Sequence, residues 1–391
     1  MLSLSNTTSC PITPKHRTAY SYSHQAMRPR PACWGSPAIG RTRTGIARRK
    51  DASRFLSDSH CLSSSRRIPL DIPPPFPVTK TCPDARCSCP PTPSMPEGLS
   101  LENDHPLSGT MAAYGQQIVI CTGQRDWTSR IEDDGKDKSW GELVRGLKGL
   151  LGRGGPYADP FNNVVVSNSS FPPSPTVSSS NTASAFLFPS FKYFPSIPID
   201  TSDLSKKTDL ATFVQAFLLP TKLSPMREAL PEPRHSDLLR KPELAANFPN
   251  AVALQHSPVI LICGHGGRDM RCGVMAPILE EQFRRILESK GIYTAEVPTD
   301  GDFDSPNRAH IGLISHIGGH KYAGNVIVYI PKGMKYSDSS APHPLAGKGI
   351  WYGRIEPRHV EGIVEETLMG GRVVSDHFRG GIDQNGDILR L

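Results

Sequence analysis

The chain holds no run of the roughly 18 uninterrupted apolar residues that a membrane-spanning helix needs, so no membrane insertion is expected. Acid is almost absent from its start. Residues 1–70 carry ten arginines and two lysines against only Asp51 and Asp58. With a total of +7, that leaves the rest of the chain near −3. A mildly acidic body excludes a phosphate-neutralising surface, so no nucleic-acid partner is expected. The nine cysteines are odd in number and scattered over 391 residues, unlike the framework of a small disulfide-stapled secreted domain. Neither G-x-S-x-G nor H-E-x-x-H occurs, which removes two common hydrolase designs.

What is present divides the chain into three. Residues 1–75 are rich in Ser, Arg and Pro, without the apolar core of a secretory signal, and read as a disordered segment that targets mitochondria. Residues 76–256 read as an N-terminal α/β domain. They open on Cys82, Cys87 and Cys89 in a proline-rich stretch with no partner set at zinc spacing, a loop of reduced or labile thiols. The run QQIVIC predicts a strand ending at Cys121. A helix follows, with Ser139 and Glu142 as a capping box and Trp140, Leu143, Val144, Leu147, Leu150 and Leu151 on one face. Residues 153–198 lose periodicity among Pro, Ser and Asn and read as an unstructured surface insertion. Leu204 to Leu219 regains a helical pattern, and residues 220–249 form a connection with short helical pieces.

Residues 257–391 carry the clearest pattern. VILIC predicts a strand ending at Cys263. A glycine-rich loop with Cys272 comes next, then a helix lined by Met275, Ile278, Leu279, Phe283, Ile286 and Leu287 and closed by Gly291. Strands are expected over 292–297, 310–315, 325–330 and 349–355, and a final helix opens at Pro357. Strand–helix–strand, then paired strands, then a helix is the order of a thioredoxin-like α/β domain. A faint echo links I-C-T-G-Q-R-D at 120–126 with I-C-G-H-G-G-R-D at 262–269, which makes the N-terminal half a candidate relative of the C-terminal one.

Cys263 and Cys272 stand nine apart, too wide for a C-x-x-C redox pair or an ordinary zinc knuckle. The loop between them has no Walker lysine and does not match G-x-G-x-x-G, so it is no phosphate cradle. Cys272 falls at a helix entrance, where thiolate is favoured. His316 and His320 form H-I-G-G-H, whose glycines free both imidazoles to swing to one point. Two thiolates and two imidazoles suit either a [2Fe–2S] cluster, with both histidines on one iron, or a zinc ion. A plainer alternative makes Cys263 a buried strand thiol and His320 a loop residue. Arg268 and Asp269 lie between the thiols as supporting groups or simply as exposed loop charges.

At these residues the chain resembles the sucrase/ferredoxin-like family of thioredoxin-like [2Fe–2S] ferredoxins. C-G-H-G-G-R-D-M-R-C-G and H-I-G-G-H carry the likeness. P-L-S-G-T-M-A-A-Y-G-Q-Q-I-V-I-C-T-G-Q-R-D-W-T-S-R-I-E extends it towards the fungal mitochondrial branch. It spans about residue 80 to the end, apart from the Ser/Pro stretch. The resemblance implies that Cys263 and Cys272 ligate one iron of a [2Fe–2S] cluster and His316 and His320 the other. It also implies a non-enzymatic electron carrier with redox protein partners. Cys82, Cys87, Cys89 and Cys121 resemble cysteines of the mitochondrial branch. A thiol oxidoreductase using them, or a zinc-stabilised interaction module, are the competing expectations.

Overall fold

The computed structural model describes residues 73–391 except 87, 176–180, 201–208, 228, 296–302 and 336–340. The expected targeting segment therefore lies almost wholly outside the described residues. In chain order the elements are β1 (Val78–Thr79), β2 (Gln116–Cys121), α1 (Ser139–Leu151), β3 (Val164–Ser169), β4 (Thr182–Phe188) and β5 (Lys192–Pro198). Then come α2 (Asp209–Phe213), α3 (Arg234–Asp237), β6 (Val252–Ala253), β7 (Val259–Cys263), α4 (Met270–Ser289), β8 (Tyr293–Ala295) and β9 (Arg308–Ile314). The chain closes with β10 (Val326–Ile330), β11 (Lys348–Tyr352), α5 (Val360–Ile363), β12 (Val373–Val374), β13 (Phe378–Asp383) and β14 (Ile388–Leu389). Among the described residues no helix is long and apolar enough to cross a membrane.

The protein is a mixed α/β fold on a 12-stranded sheet of order β14-β13-β11-β10-β7-β9-β3-β2-β4-β5-β6, with β8 added beside β9. The order is built twice. β2 and β3 are parallel with α1 between them, and β4 and then β5 add antiparallel outside β2. β7 and β9 are parallel with α4 between them, and β10 and then β11 add antiparallel outside β7. A helix follows the fourth strand each time, α2 in the first set and α5 in the second.

The two sets meet at the carboxyl tips of β3 and β9, where Ser169 stands opposite Ile314. A serine clamp holds this junction. The Ser170 amide donates to Leu313 O and the Ser315 amide to Asn168 O, each at 2.9 Å. The Leu313 amide donates to Ser170 Oγ, and the Asn168 amide to Ser315 Oγ, both at 2.9 Å. Each serine thus closes the ladder where the strands diverge. Buried backbone donors left without partners would otherwise be costly.

Residues 153–198 differ from expectation. They hold β3, β4 and β5, with Phe186, Phe188 and Phe194 fully buried, rather than an unstructured insertion. Within them Asn168, Ser169 and Ser170 meet the polar demands of the junction. The expected capping box of α1 is absent too. Ser139 is already the first helical residue, Lys138 is the cap, and no side chain bonds the helix end. The apolar face of α1 is as expected, with Trp140, Leu143, Val144, Leu147 and Leu150 buried.

The sheet packs a core on each face. One contains α1, α4 and α5; the other gathers Phe186, Phe188, Leu261, Tyr329 and Trp351. On this second face the sheet curls. The Phe188 and Tyr329 rings stack at 3.8 Å, and the Tyr329 hydroxyl donates to Gln117 Oε1 at 2.6 Å, although three strands separate β10 from β2.

Ser315→Ala strands the buried Asn168 amide and should cost about 1–3 kcal/mol of stability. The half-buried Ser170→Ala should cost less. Urea unfolding of both variants checks the order; equal losses near zero would remove the clamp from the account.

Candidate metal centre

β7 and β9 run parallel with Cys263 opposite Ile314. That register sets His316, two residues past Ile314, beside the end of β7. The chain leaves β7 through Gly264 and returns as α4, whose N-cap Asp269 accepts a bond from the Arg271 amide at 3.0 Å. Cys272 sits in the first turn. The return is tight because Gly266 and Gly273 touch backbone to backbone; a Cβ on Gly273 would stand 2.7 Å from Gly266 Cα. Cys263 and Cys272 are 1% and 0% exposed and belong to the core of the curled face.

Their electrostatics are unequal. The Cys272 thiol hydrogen-bonds to the Cys263 sulfur and holds it well below the ordinary thiol range, against the effect of burial; His316 lowers it further. Cys272 is raised for the complementary reason, because it is the donor, with burial and the Cys263 charge adding to this. The pair thus favours one thiolate held by the other thiol.

Gly318 and Gly319 take φ of 85° and 77°, and this left-handed turn brings the His316 and His320 rings to 5.1 Å between centroids. The Nδ1 atoms of both histidines are buried without a hydrogen-bond partner. The other ring nitrogen of His320, Nε2, stands 3.8 Å from Asp269 Oδ2. Burial lowers the His320 pKa and Asp269 opposes that, so the ring is favoured neutral, the state that binds metal. Among the described residues no three His, Cys, Asp or Glu side chains converge around one ion position. The four residues singled out from the sequence are instead arranged as two pairs, sulfur with sulfur and imidazole with imidazole.

Several groups at the site had not been singled out. His265 is buried in the loop; its Nδ1 accepts from the His316 amide at 3.0 Å, and its Nε2 lies 2.7 Å from Thr128 O and 3.1 Å from Trp127 O. The Gly267 amide donates to the Asp126 carboxylate at 3.0 Å. The loop after β2 therefore grips the loop after β7, and the echoed R-D at 125–126 was its one signal in the sequence. Asp269 pairs with Arg271 at 2.8 Å, while Arg268 points outward to Ser129 Oγ at 3.2 Å. Asp269 thus stands beside His320, whereas Arg268 reaches to Ser129.

The remaining cysteines lie elsewhere. The Cys82 sulfur is 3.5 Å from His359 O, and Cys89 accepts from Gln282 Nε2 at 3.4 Å. Cys121 ends β2 and is buried. Burial pushes the thiols of Cys82 and Cys121 each up to about 12. Cys87 lies outside the described residues.

Fold and site together define a mixed α/β protein with a paired thiol and imidazole set at the carboxyl ends of two adjacent parallel strands. The chain belongs to the sucrase/ferredoxin-like family, whose model matches residues 107–380. It is 28% identical over 316 residues to Altered inheritance of mitochondria protein 32 of Meyerozyma guilliermondii, covering 76% of this chain and 91% of that protein. It is 42% identical over 122 residues to the protein of the same name in Debaryomyces hansenii, covering 31% of this chain and 35% of that protein. It is 30% identical over 131 residues to Actin patches distal protein 1 of Saccharomyces cerevisiae, covering 34% of this chain and 36% of that protein. No solved structure matches it.

His265→Ala removes the acceptor of the His316 amide. Hydrogen exchange at that amide should accelerate about tenfold or more, equivalent to about 1.4 kcal/mol. Unchanged exchange would show that His265 does not hold the turn.

Proposed function

We propose that Cys263 and Cys272 hold one iron of a [2Fe–2S] cluster, that His316 and His320 hold the other, and that the protein carries single electrons between redox proteins in mitochondria. The observation that carries this reading is the pair of buried imidazole nitrogens with no partner, next to two buried sulfurs of which one favours the thiolate. Unpartnered polar atoms in a protein interior call for an explanation, and a metal supplies one. The order β11-β10-β7-β9 with its parallel pair and following helix supports the thioredoxin-like reading of the C-terminal half. The mitochondrial names of the relatives support the location.

Such a cluster supplies a store for one electron, and exchange of two thiolates for neutral imidazoles makes it less negative and easier to reduce. The residues have matching tasks. Cys263 provides a ready anion. The α4 entrance faces Cys272 with its positive dipole end. His316 and His320 offer ring nitrogens, with the His316 backbone held by the His265 bond and the His320 ring beside Asp269. A single zinc ion is the rival occupant. It needs four donors around one point, whereas two pairs are the demand of a binuclear cluster. The thiol-oxidoreductase reading has less support at Cys82 and Cys121, whose thiols, raised to about 12, are poor nucleophiles at neutral pH.

Anaerobically purified protein should be coloured, bleach with dithionite and hold about two irons per chain. A colourless protein containing zinc would sink the assignment. In His316→Cys and His320→Cys the colour should persist and the midpoint potential should fall, since an anion replaces a neutral ligand. An unchanged potential in both would count against histidine ligation.

A further inference from the structure

Arg379, on β13, is a guanidinium in the interior, 1% exposed. Four of its five N–H groups are used, all on neutral oxygens: Thr110 Oγ1 at 3.1 Å, Thr110 O at 3.1 Å, Gly318 O at 3.1 Å and Asn325 Oδ1 at 2.8 Å. No carboxylate of the described residues pairs with it. The faces of Tyr322 and Trp351 lie 5.4 and 6.0 Å from the charge. A cation buried without an anion is an expensive arrangement. Its surroundings say where the anion belongs. Gly318, whose carbonyl it holds, is in the turn joining His316 to His320. A Cβ on Gly319 would stand 2.4 Å from its Nη2. Asn325 braces both, since its amide also donates to Gly319 O at 2.9 Å.

From this we infer that Arg379 is the fixed counter-ion of the metal centre and a determinant of its reduction potential. The inference rests on the cluster reading above. Two ferric ions bridged by two sulfides are neutralised by the thiolates of Cys263 and Cys272, with the imidazoles adding no charge. One electron from a one-electron reductant such as dithionite then leaves the centre with a net negative charge, with no atom gained or lost. A cation held beside it favours that state. Burial lowers the Arg379 pKa to about 10, so it is charged at neutral pH, and the charges of Cys263 and Cys272 act to keep it so.

A purely structural Arg379 would prop the 318–319 turn without affecting the potential. The test uses the full chain, purified anaerobically, with iron content, visible spectrum and midpoint potential measured for wild type, Arg379→Lys, Arg379→Gln and Asn325→Asp. In Asn325→Asp a carboxylate accepts the same bond and cancels the charge with the arginine in place. Expected are wild-type spectra throughout, a midpoint near wild type for Arg379→Lys, and a shift to more negative potential for Arg379→Gln and Asn325→Asp. If Arg379→Gln does not fold, Asn325→Asp decides. Iron-loaded Arg379→Gln or Asn325→Asp with an unmoved midpoint overturns the inference, as does an Arg379→Lys shift as large as that of Arg379→Gln. A wild-type protein without iron overturns the cluster reading and this inference with it, and does so before any variant is compared.

Discussion

The junction of β3 and β9 is the constraint on which the rest of the molecule depends. Only Ser169 and Ile314 pair across it, yet Ser170 and Ser315 extend it with matched hydroxyl bonds. Two parallel β-α-β units thereby meet through the tips of their inner strands. Loops at carboxyl ends of parallel strands are where α/β proteins place their ligands. Here two such sets of loops are pressed together, and the loop that carries Asp126, Trp127 and Thr128 becomes a wall for the loop that carries His265 and Gly267.

From that wall the chemistry of the site follows by short steps. His265 is fixed by carbonyls of the first unit and in turn fixes the backbone of His316. Parallel register sets His316 beside Cys263, and the Gly266–Gly273 contact lets α4 begin close enough for Cys272 to reach the same sulfur. β13 then contributes Arg379 from below the His316–His320 turn. Residues from five separate stretches are thus needed to build one small polar chamber in an otherwise apolar core. Much of that chamber consists of backbone groups, which side-chain substitution leaves in place.

The C-terminal elements were legible because their strands are two-sided apolar runs and their helices carry regular stripes. VILIC and the Met275-to-Leu287 face are examples. The four paired residues stood out through glycine flanks and the family likeness of their spacing. What escaped notice was polar. The strand VVVSNS looks like low-complexity sequence because its Asn168 and Ser169 serve the junction, and TASAFLF because its Ser184 accepts from the Ser174 amide. Ser139 resembled a cap because the local pattern fits one, but the helix begins one residue earlier than the pattern requires. His265 and Arg379 were invisible as site residues, since their partners lie from 51 to 269 positions away in the chain. No local pattern encodes a contact of that range.

The two ends of the chamber face different surroundings. The sulfurs are sealed within the core, whereas 42% of the His320 side chain is open to solvent. Anything that diffuses to this site, whether dioxygen, peroxide or a chelator, meets the imidazole rim first. Sulfur is the atom that peroxide converts stepwise towards irreversible acids, and here it stands behind a ring that resists such attack far better. The fold has in effect turned its vulnerable atoms inward and its durable ones outward, which is a form of protection that requires no extra protein.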